Sequence, residues 1–335
     1  MMTEQLRGRF PGPRRLSIMT GLAALALVVG VAALADGCTR HPGRATARPE
    51  KSTIVVGIVP AADAAGLYIA QQRGLFAAAN LHVKIVNILS PENAVRTQLA
   101  GGYDVTIGDY VSYIEADAEQ HAGLRILAEG SVIQPGNQVI VTLPGSRITS
   151  LSQLRGATIA VNLRNNIGTI LVDEALEDDG ISLAAVRLVQ VPFPQMIRAL
   201  VRHEVDAAWM PEPFLSVAEE QIGAREIADL DQGGAASMPV VGYAVTRAWE
   251  QKYPRTAAAF TSALEKAQVI ADTERSEVER VTQDFLGVPP LTATVMSIPQ
   301  YPLGVDRVRL QRIADATLQF DMLKERLDVS QMTSA

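Results

Sequence analysis

Asn162-Leu-Arg-Asn-Asn-Ile-Gly-Thr169 is the stretch where binding chemistry is densest. It leads out of an apolar strand pattern and into the start of a helix. The first backbone N–H groups of a helix have no intrahelical partner, and the helix dipole adds positive potential, so such a start attracts anions. Asn162, Asn165, Asn166 and Thr169 offer neutral donors there, and Arg164 offers charge. Asn166 is also suited to cap the helix. Asp109-Tyr110 forms a second constellation, directly after a strand. A carboxylate beside an aromatic ring can hold an amine or a ring nitrogen. Asp109 is equally placed to cap the helix beginning at Val111. Asp63 has the same two readings before its own helix, with Ala61 in the same loop. Glu212 stands between Pro211 and Pro213 at a strand end, as ligand group or turn brace. Asn137 and Gln134 are polar residues of a candidate hinge. Tyr68 and Trp209 read as core.

Other chemistries find no support. The four histidines, His41, His82, His121 and His203, do not pair with another His, Cys or carboxylate at metal-binding spacing. No Gly-x-Ser-x-Gly elbow, Walker loop or Gly-x-Gly-x-x-Gly follows a strand. No metal, no cofactor and no catalytic centre are therefore expected. No basic run interleaved with aromatics points to nucleic acid.

The elements that position these residues follow from periodicity. Thr53 to Val59 is a continuous apolar run, as in a buried parallel strand. A helix over Ala64 to Arg73 ends at Gly74. Strands at Val83 to Leu89 and Asp104 to Ile107 alternate with helices at Ala94 to Ala100 and Val111 to Ala122. Strands at Leu124 to Glu129 and Gln138 to Thr142 come next. The alternation then repeats: strand Ala157 to Val161, helix Gly168 to Asp178, strand Val186 to Val191, helix Gln195 to Arg202, strand Ala207 to Met210. Val240 to Val245 is another strand, and 247–286 and 305–323 are mainly helical. Alternating strands and helices imply parallel sheets with helices on both faces.

This order predicts two α/β lobes: 53–136 with 240–330 as a discontinuous first lobe, and 137–239 as the second. The final helices must pack somewhere, and the first lobe is their natural partner. The chain then crosses between lobes twice, near Ser131–Val139 and Gly234–Val241, and two crossings make a hinge over a cleft. Ligands of open parallel sheets sit beyond the carboxyl ends of the strands. That rule selects Pro60 to Ala64, Ser90 to Asn93 and Gly108 to Tyr110 from lobe one. From lobe two it selects Asn162 to Thr169, Pro192 to Pro194 and Pro211 to Pro213.

The totals fit this picture. The chain has 335 residues, 48% hydrophobic and 20% charged, with a formal net charge of −6. Those are globular values and suggest about two domains. At the start, Arg7, Arg9, Arg14 and Arg15 precede an uncharged apolar stretch from Leu16 to Ala35. Residues 1–37 therefore read as an export signal. Leu16 to Ala35 also reaches the roughly 20 residues that span a membrane, so an uncleaved anchor is the alternative. Cys38, the only cysteine, follows directly. Its setting resembles the bacterial lipobox, which implies acylation of Cys38; Leu34 and Asp36 depart from that pattern. Residues 38–52, with two prolines and no apolar periodicity, read as a lipid-anchored tether on the outer face of the cell membrane.

Five stretches together resemble the substrate-binding proteins of ABC importers for nitrate, taurine, sulfonates and thiamine-precursor pyrimidines. They are Pro60 through Phe76, Leu99 to Gly108, Ile148 to Ala160, Ala199 to Pro213 and Leu310 to Leu323. Ala199-Leu-Val-Arg-His-Glu-Val-Asp-Ala-Ala-Trp-Met-Pro-Glu-Pro213 is the most specific of them. The resemblance implies a type II periplasmic-binding fold without catalysis, working as a monomer with a permease and its ATPase as partners. Pro-Glu-Pro is expected near the cleft. The ligand expected is a small organic molecule, anionic or zwitterionic, sulfonate- or pyrimidine-like. An enzyme of the same fold acting on a pyrimidine or menaquinone precursor, or an exported sensor, is the alternative.

Overall fold

In a computed structural model of the chain, residues 48–88 and 93–333 are described. The export-like start, Cys38 and the tether up to residue 47 lie outside the described residues, as does most of the Ser90 to Asn93 loop.

The first sheet begins with β1 (Thr53–Ile58), β2 (His82–Asn87), β3 (Val105–Asp109) and β4 (Leu124–Val132). The second holds β5 (Gln138–Thr142), β6 (Thr158–Val161), β7 (Arg187–Gln190), β8 (Ala207–Pro211) and β9 (Arg225–Asp229); the chain then returns to the first sheet as β10 (Pro239–Thr246). Between the strands run α1 (Ala65–Gln72), α2 (Leu75–Ala78), α3 (Ala94–Leu99), α4 (Tyr110–Gln120), α5 (Ile167–Asp178), α6 (Phe193–Val201) and α7 (Phe214–Ile222). After β10 come α8 (Arg247–Lys252), α9 (Pro254–Thr273), α10 (Arg275–Leu286), α11 (Pro290–Val295) and α12 (Arg307–Gln319).

Strand order is β2-β1-β3-β10-β4 in one sheet and β7-β6-β8-β5-β9 in the other. β1, β2 and β3 pair in parallel, as do β6, β7 and β8; β10 and β5 run antiparallel to both of their neighbours. Each sheet thus takes its antiparallel strand directly after a crossing, 133–137 for β5 and 230–238 for β10. This α/β architecture of two sheets is the type II periplasmic-binding fold.

The apolar runs explain the layers. Ile54, Val56 and Ile58 of β1 are fully buried, as are Ile159, Ala160 and Val161 of β6. Covering on both faces is what makes these strands read as continuous rather than alternating. α9 packs on α1 and α2, and α12 on α4 and β10, so the C-terminal helices do return to the first sheet. Phe76 stacks on Phe260 at 5.2 Å, and Tyr68 on Phe285 at 4.3 Å. Glu129 of β4 is 1% exposed and accepts hydrogen bonds from Arg309 Nη2 at 2.9 Å and the Asp306 N–H at 2.6 Å. These bonds fasten α12 to the strand that leads into the first crossing.

α2, α7, α11 and β9 have no counterpart in the periodicity reading. β9 (Arg-Glu-Ile-Ala-Asp) is a half-exposed edge strand with only two apolar residues, too few for an alternation signal. α7 follows Pro213 immediately, and its nine residues put Phe214, Leu215, Ala218 and Ile222 on the core. No helix among the described residues is long and apolar enough to cross a membrane.

Candidate functional site

A cleft, partly open to solvent, lies where the carboxyl ends of both parallel sheets face each other. The first lobe contributes Val59, Ala61, Asp63, Ala64, Ile88, Ala94, Val95, Ile107, Gly108, Asp109, Ser112, Tyr113, Val240 and Val241. The second contributes Gln138, Asn162, Asn166, Ile167, Phe193, Trp209 and Pro211.

Five residues named from the sequence therefore line one cleft: Ala61, Asp63 and Asp109 from the first lobe, Asn162 and Asn166 from the second. Asp63 sits in the turn before α1, and its Oδ1 accepts a hydrogen bond from Ser131 Oγ at 2.5 Å. Burial raises its pKa, and the Ser131 hydroxyl only partly offsets this. Asp109 caps α4, accepting from the Ser112 N–H at 3.0 Å and from Ser112 Oγ at 2.7 Å. Burial raises its pKa too, against those two bonds and the backbone N–H of Ile167. That N–H belongs to the first residue of α5, in the opposite lobe. The helix start that the sequence offered to an anion thus already faces a carboxylate of the protein. Asn166 caps α5 through the Thr169 N–H at 3.2 Å and donates to Asn162 Oδ1 at 2.7 Å. Capping and cleft lining are both realised at Asp109 and Asn166.

The other five lie elsewhere. Arg164 is exposed and donates to the Leu188 carbonyl at 3.1 Å, pinning its loop to β7 rather than meeting the cleft. Thr169 is buried one turn into α5, and its hydroxyl has no partner among the described residues. Tyr110 is buried over Gly242 of β10; a Cβ there would stand 2.6 Å from its ring. Ser112 and Val241 line the cleft, and Tyr110 does not. Asn137 is buried in the crossing, where its Oδ1 accepts from the Gln134 N–H at 3.2 Å. Glu212 is 3% exposed, and its carboxylate accepts from Ser216 Oγ at 2.8 Å, the Ser216 N–H at 3.2 Å and the Ser297 N–H at 3.1 Å. Its carbonyl accepts from the Ala62 N–H at 3.2 Å, from the first lobe. Burial raises its pKa against these bonds. Glu212 is placed as a brace between lobes, beside the cleft wall.

The expectation of an anionic head group has no cation to meet it. Among the described lining residues there is no Lys, Arg or His. The intervening Leu89-Ser90-Pro91-Glu92 contains no basic residue either. The only charged side chains among the described lining residues are Asp63 and Asp109.

Trp209 is core and cleft at once. It is 2% exposed, and its ring edge lies against Gly168, where a Cβ would come within 2.1 Å of it. Phe193 meets it edge-on at 5.3 Å and stacks on Phe214 at 5.1 Å. Gln138, the first residue of β5, is 1% exposed and was missed by the sequence reading, which stopped at Asn137. Its signal was a lone amide opening an otherwise apolar strand, Gln-Val-Ile-Val-Thr. Among the described residues no group of three or more His, Cys, Asp or Glu could hold a metal ion.

Known structures share this architecture. The chain superposes on the alkanesulfonate-binding protein SsuA of Xanthomonas axonopodis pv. citri, bound to MOPS, with a TM-score of 0.73 and 16% identity, over 85% of this chain and 99% of that one. The periplasmic nitrate-binding protein NrtA of Synechocystis PCC 6803 gives a TM-score of 0.73 and 16% identity, over 85% and 87%. In sequence, the chain is 31% identical over 159 residues to a Haemophilus influenzae protein named for thiamine biosynthesis, covering 47% of this chain. It spans 49% of that relative's length. Residues 61–273 match the family described as NMT1/THI5 like, and the chain belongs to that family.

Proposed function

We propose that this chain is the exported, ligand-holding component of an ABC importer. Residues 1–37 direct export, acylated Cys38 anchors the protein at the outer face of the membrane, and 39–52 tether it. Lobe one (53–136 and 240–330) and lobe two (137–239) close on one small organic molecule. The loaded monomer hands it to a permease driven by an ATPase, with no turnover and no cofactor.

One observation carries the reading. Both lobes contribute to a single cleft at the carboxyl ends of both parallel sheets, with only two crossings between them. Such a connection lets the lobes close around a ligand by hinge motion. The relatives named for sulfonate and nitrate binding support the role. The relative named for thiamine biosynthesis favours one alternative, an enzyme of this fold acting on a pyrimidine precursor inside the cell.

Fractionation separates the two. The proposal expects the chain in the membrane fraction, accessible to protease from outside, and labelled by a fatty acid that Cys38→Ser abolishes. Full-length, unlabelled protein in the cytosol would favour the enzyme.

A further inference from the structure

The segment from Pro289 to Gln300, which carries α11, belongs by chain order to the first lobe, yet it grips both lobes at once. Its grip on the first lobe is backbone pairing. Gln300 and Val132 of β4 exchange two hydrogen bonds, at 2.9 and 3.1 Å. Arg275 of α10 adds bonds from Nη2 to the Thr294 and Met296 carbonyls, each at 2.7 Å. Its grip on the second lobe runs through side chains. Thr292 Oγ1 donates to the Glu220 carboxylate of α7, and α11 packs on α7. The Ser297 N–H donates to Glu212 Oε1 at 3.1 Å, and Glu212 is nearly inaccessible to water. Ser297 also lies against Gly136 in the first crossing, where a Cβ would stand 2.9 Å from its hydroxyl oxygen. Pro289, Pro290 and Pro299 fix φ on both sides of α11, which leaves little slack between the two grips.

We propose that residues 289–300 are a clamp across the hinge, which stabilises the arrangement of the lobes seen here and sets how readily the cleft opens. This deepens the solute-binding reading above and rests on it for the hinge motion. The backbone pairs keep the segment on β4. A turn of the second lobe away from the first therefore parts α11 from α7, and it strips the Glu212 carboxylate of the Ser297 N–H. Loss of a partner by a buried carboxylate is unfavourable, so these bonds oppose the turn. The clamp works from outside the cleft, since none of its residues is among those that line it. It also gives Pro-Glu-Pro a reason to sit beside the hinge. The Glu212 carbonyl accepts from Ala62 and its carboxylate from Ser297, so the first lobe holds this residue from two sides.

Distances between spin labels, read by double electron–electron resonance on the full chain carrying Cys38→Ser, test this. Lys266→Cys with Glu177→Cys spans the two lobes, and Lys266→Cys with Glu119→Cys is a reference within the first; all three sites are exposed. Thr292→Val removes the hydroxyl donor to Glu220. Ser297→Pro removes the N–H donor to Glu212, and Met296, at φ −57° and ψ 146°, already has the extended backbone that a following proline requires. In each variant the ratio of opened molecules to those in the arrangement seen here should rise about tenfold, the weight of one hydrogen bond to a carboxylate. The reference distance should not change, and Thr292→Ser, which keeps the donor, should match the parent. Melting curves identify a misfolded variant, and Thr292→Val decides alone if Ser297→Pro does not fold. Interlobe distances unchanged in Thr292→Val, or a reference pair that broadens as much as the interlobe pair, would overturn the clamp. The two levels separate in the parent protein. Interlobe distances that vary there but ignore the variants remove the clamp alone; distances as narrow as the reference in the parent and in every variant remove the hinge motion too.

Discussion

Gly168 shows how tightly single residues set the cleft floor. A Cβ on it would stand 2.1 Å from the Trp209 ring, far inside contact distance. The ring cannot slide away, because Phe193 abuts it and Phe214 backs Phe193. Gly168→Ala should therefore cost about 1–3 kcal/mol of stability, typical of overpacking. It should also weaken ligand binding, since Trp209 must shift; urea unfolding and titration would read the two effects. Asp109 is the second residue-scale test. Its carboxylate caps α4 through two bonds to Ser112. Asp109→Ala should lose about 0.5–2 kcal/mol by denaturant unfolding, the usual cost of a lost N-cap, whereas Asn should largely preserve the cap. Legibility at this scale was uneven. Helix-starting residues such as Asp109 and Asn166 announce themselves by type and position. Gln138 and the cleft-facing edge of Trp209 do not, because which face of a buried strand meets the cleft depends on the other lobe. Arg164 misled for a related reason: its charge suited an anion, yet the nearest acceptor is the Leu188 carbonyl of the neighbouring strand.

Among the elements, α12 has the clearest job. It lies on α4 and β10 and is fixed to β4 by the Glu129–Arg309 pair. Glu129 is essentially inaccessible, and removing one partner of a buried pair leaves the other charge stranded. Arg309→Ala should therefore destabilise the protein by about 3–5 kcal/mol, while Asp306→Asn, at an exposed cap, should cost less. A thermal melt of both variants orders the two effects. A near-neutral Arg309→Ala would mean that α12 is not held through this pair. Most elements were readable from periodicity, because strands buried on both faces are long apolar runs bounded by glycine or proline. The exceptions were α2, α7, α11 and β9. An edge strand with one covered face carries too few apolar residues to stand out, and α2, α7 and α11 are short helices.

At the scale of the whole molecule, burial has moved many carboxyl groups in one direction. Asp173 is raised to about 6, mainly by burial and then by Glu177 and Glu174. Glu115 is raised to about 8, mainly by burial and then by Asp109 and Glu119. Asp63, Asp109, Glu129 and Glu212 are also raised by burial. Between the unfolded value near 4.5 and the folded value, the native state holds more protons than the unfolded chain, so stability falls as pH rises. The melting temperature should accordingly be higher near pH 5 than near pH 8. Glu115→Gln should flatten the part of that decline between about pH 6 and pH 8; a melting profile that rises across this window would contradict it. The two-lobed plan itself was legible, because the strand–helix alternation restarts after two antiparallel strands. Which groups the two lobes bury together was not, since those contacts, such as Ile167 on Asp109 and Ala62 on Glu212, join residues far apart in the chain.

That the lobes enclose one small molecule is tested most directly by native mass spectrometry of the chain purified gently from its own cells. The account predicts a single species heavier than the polypeptide and its lipid by one small organic molecule. That molecule should be released on denaturation. Protein of bare mass in every preparation would contradict it.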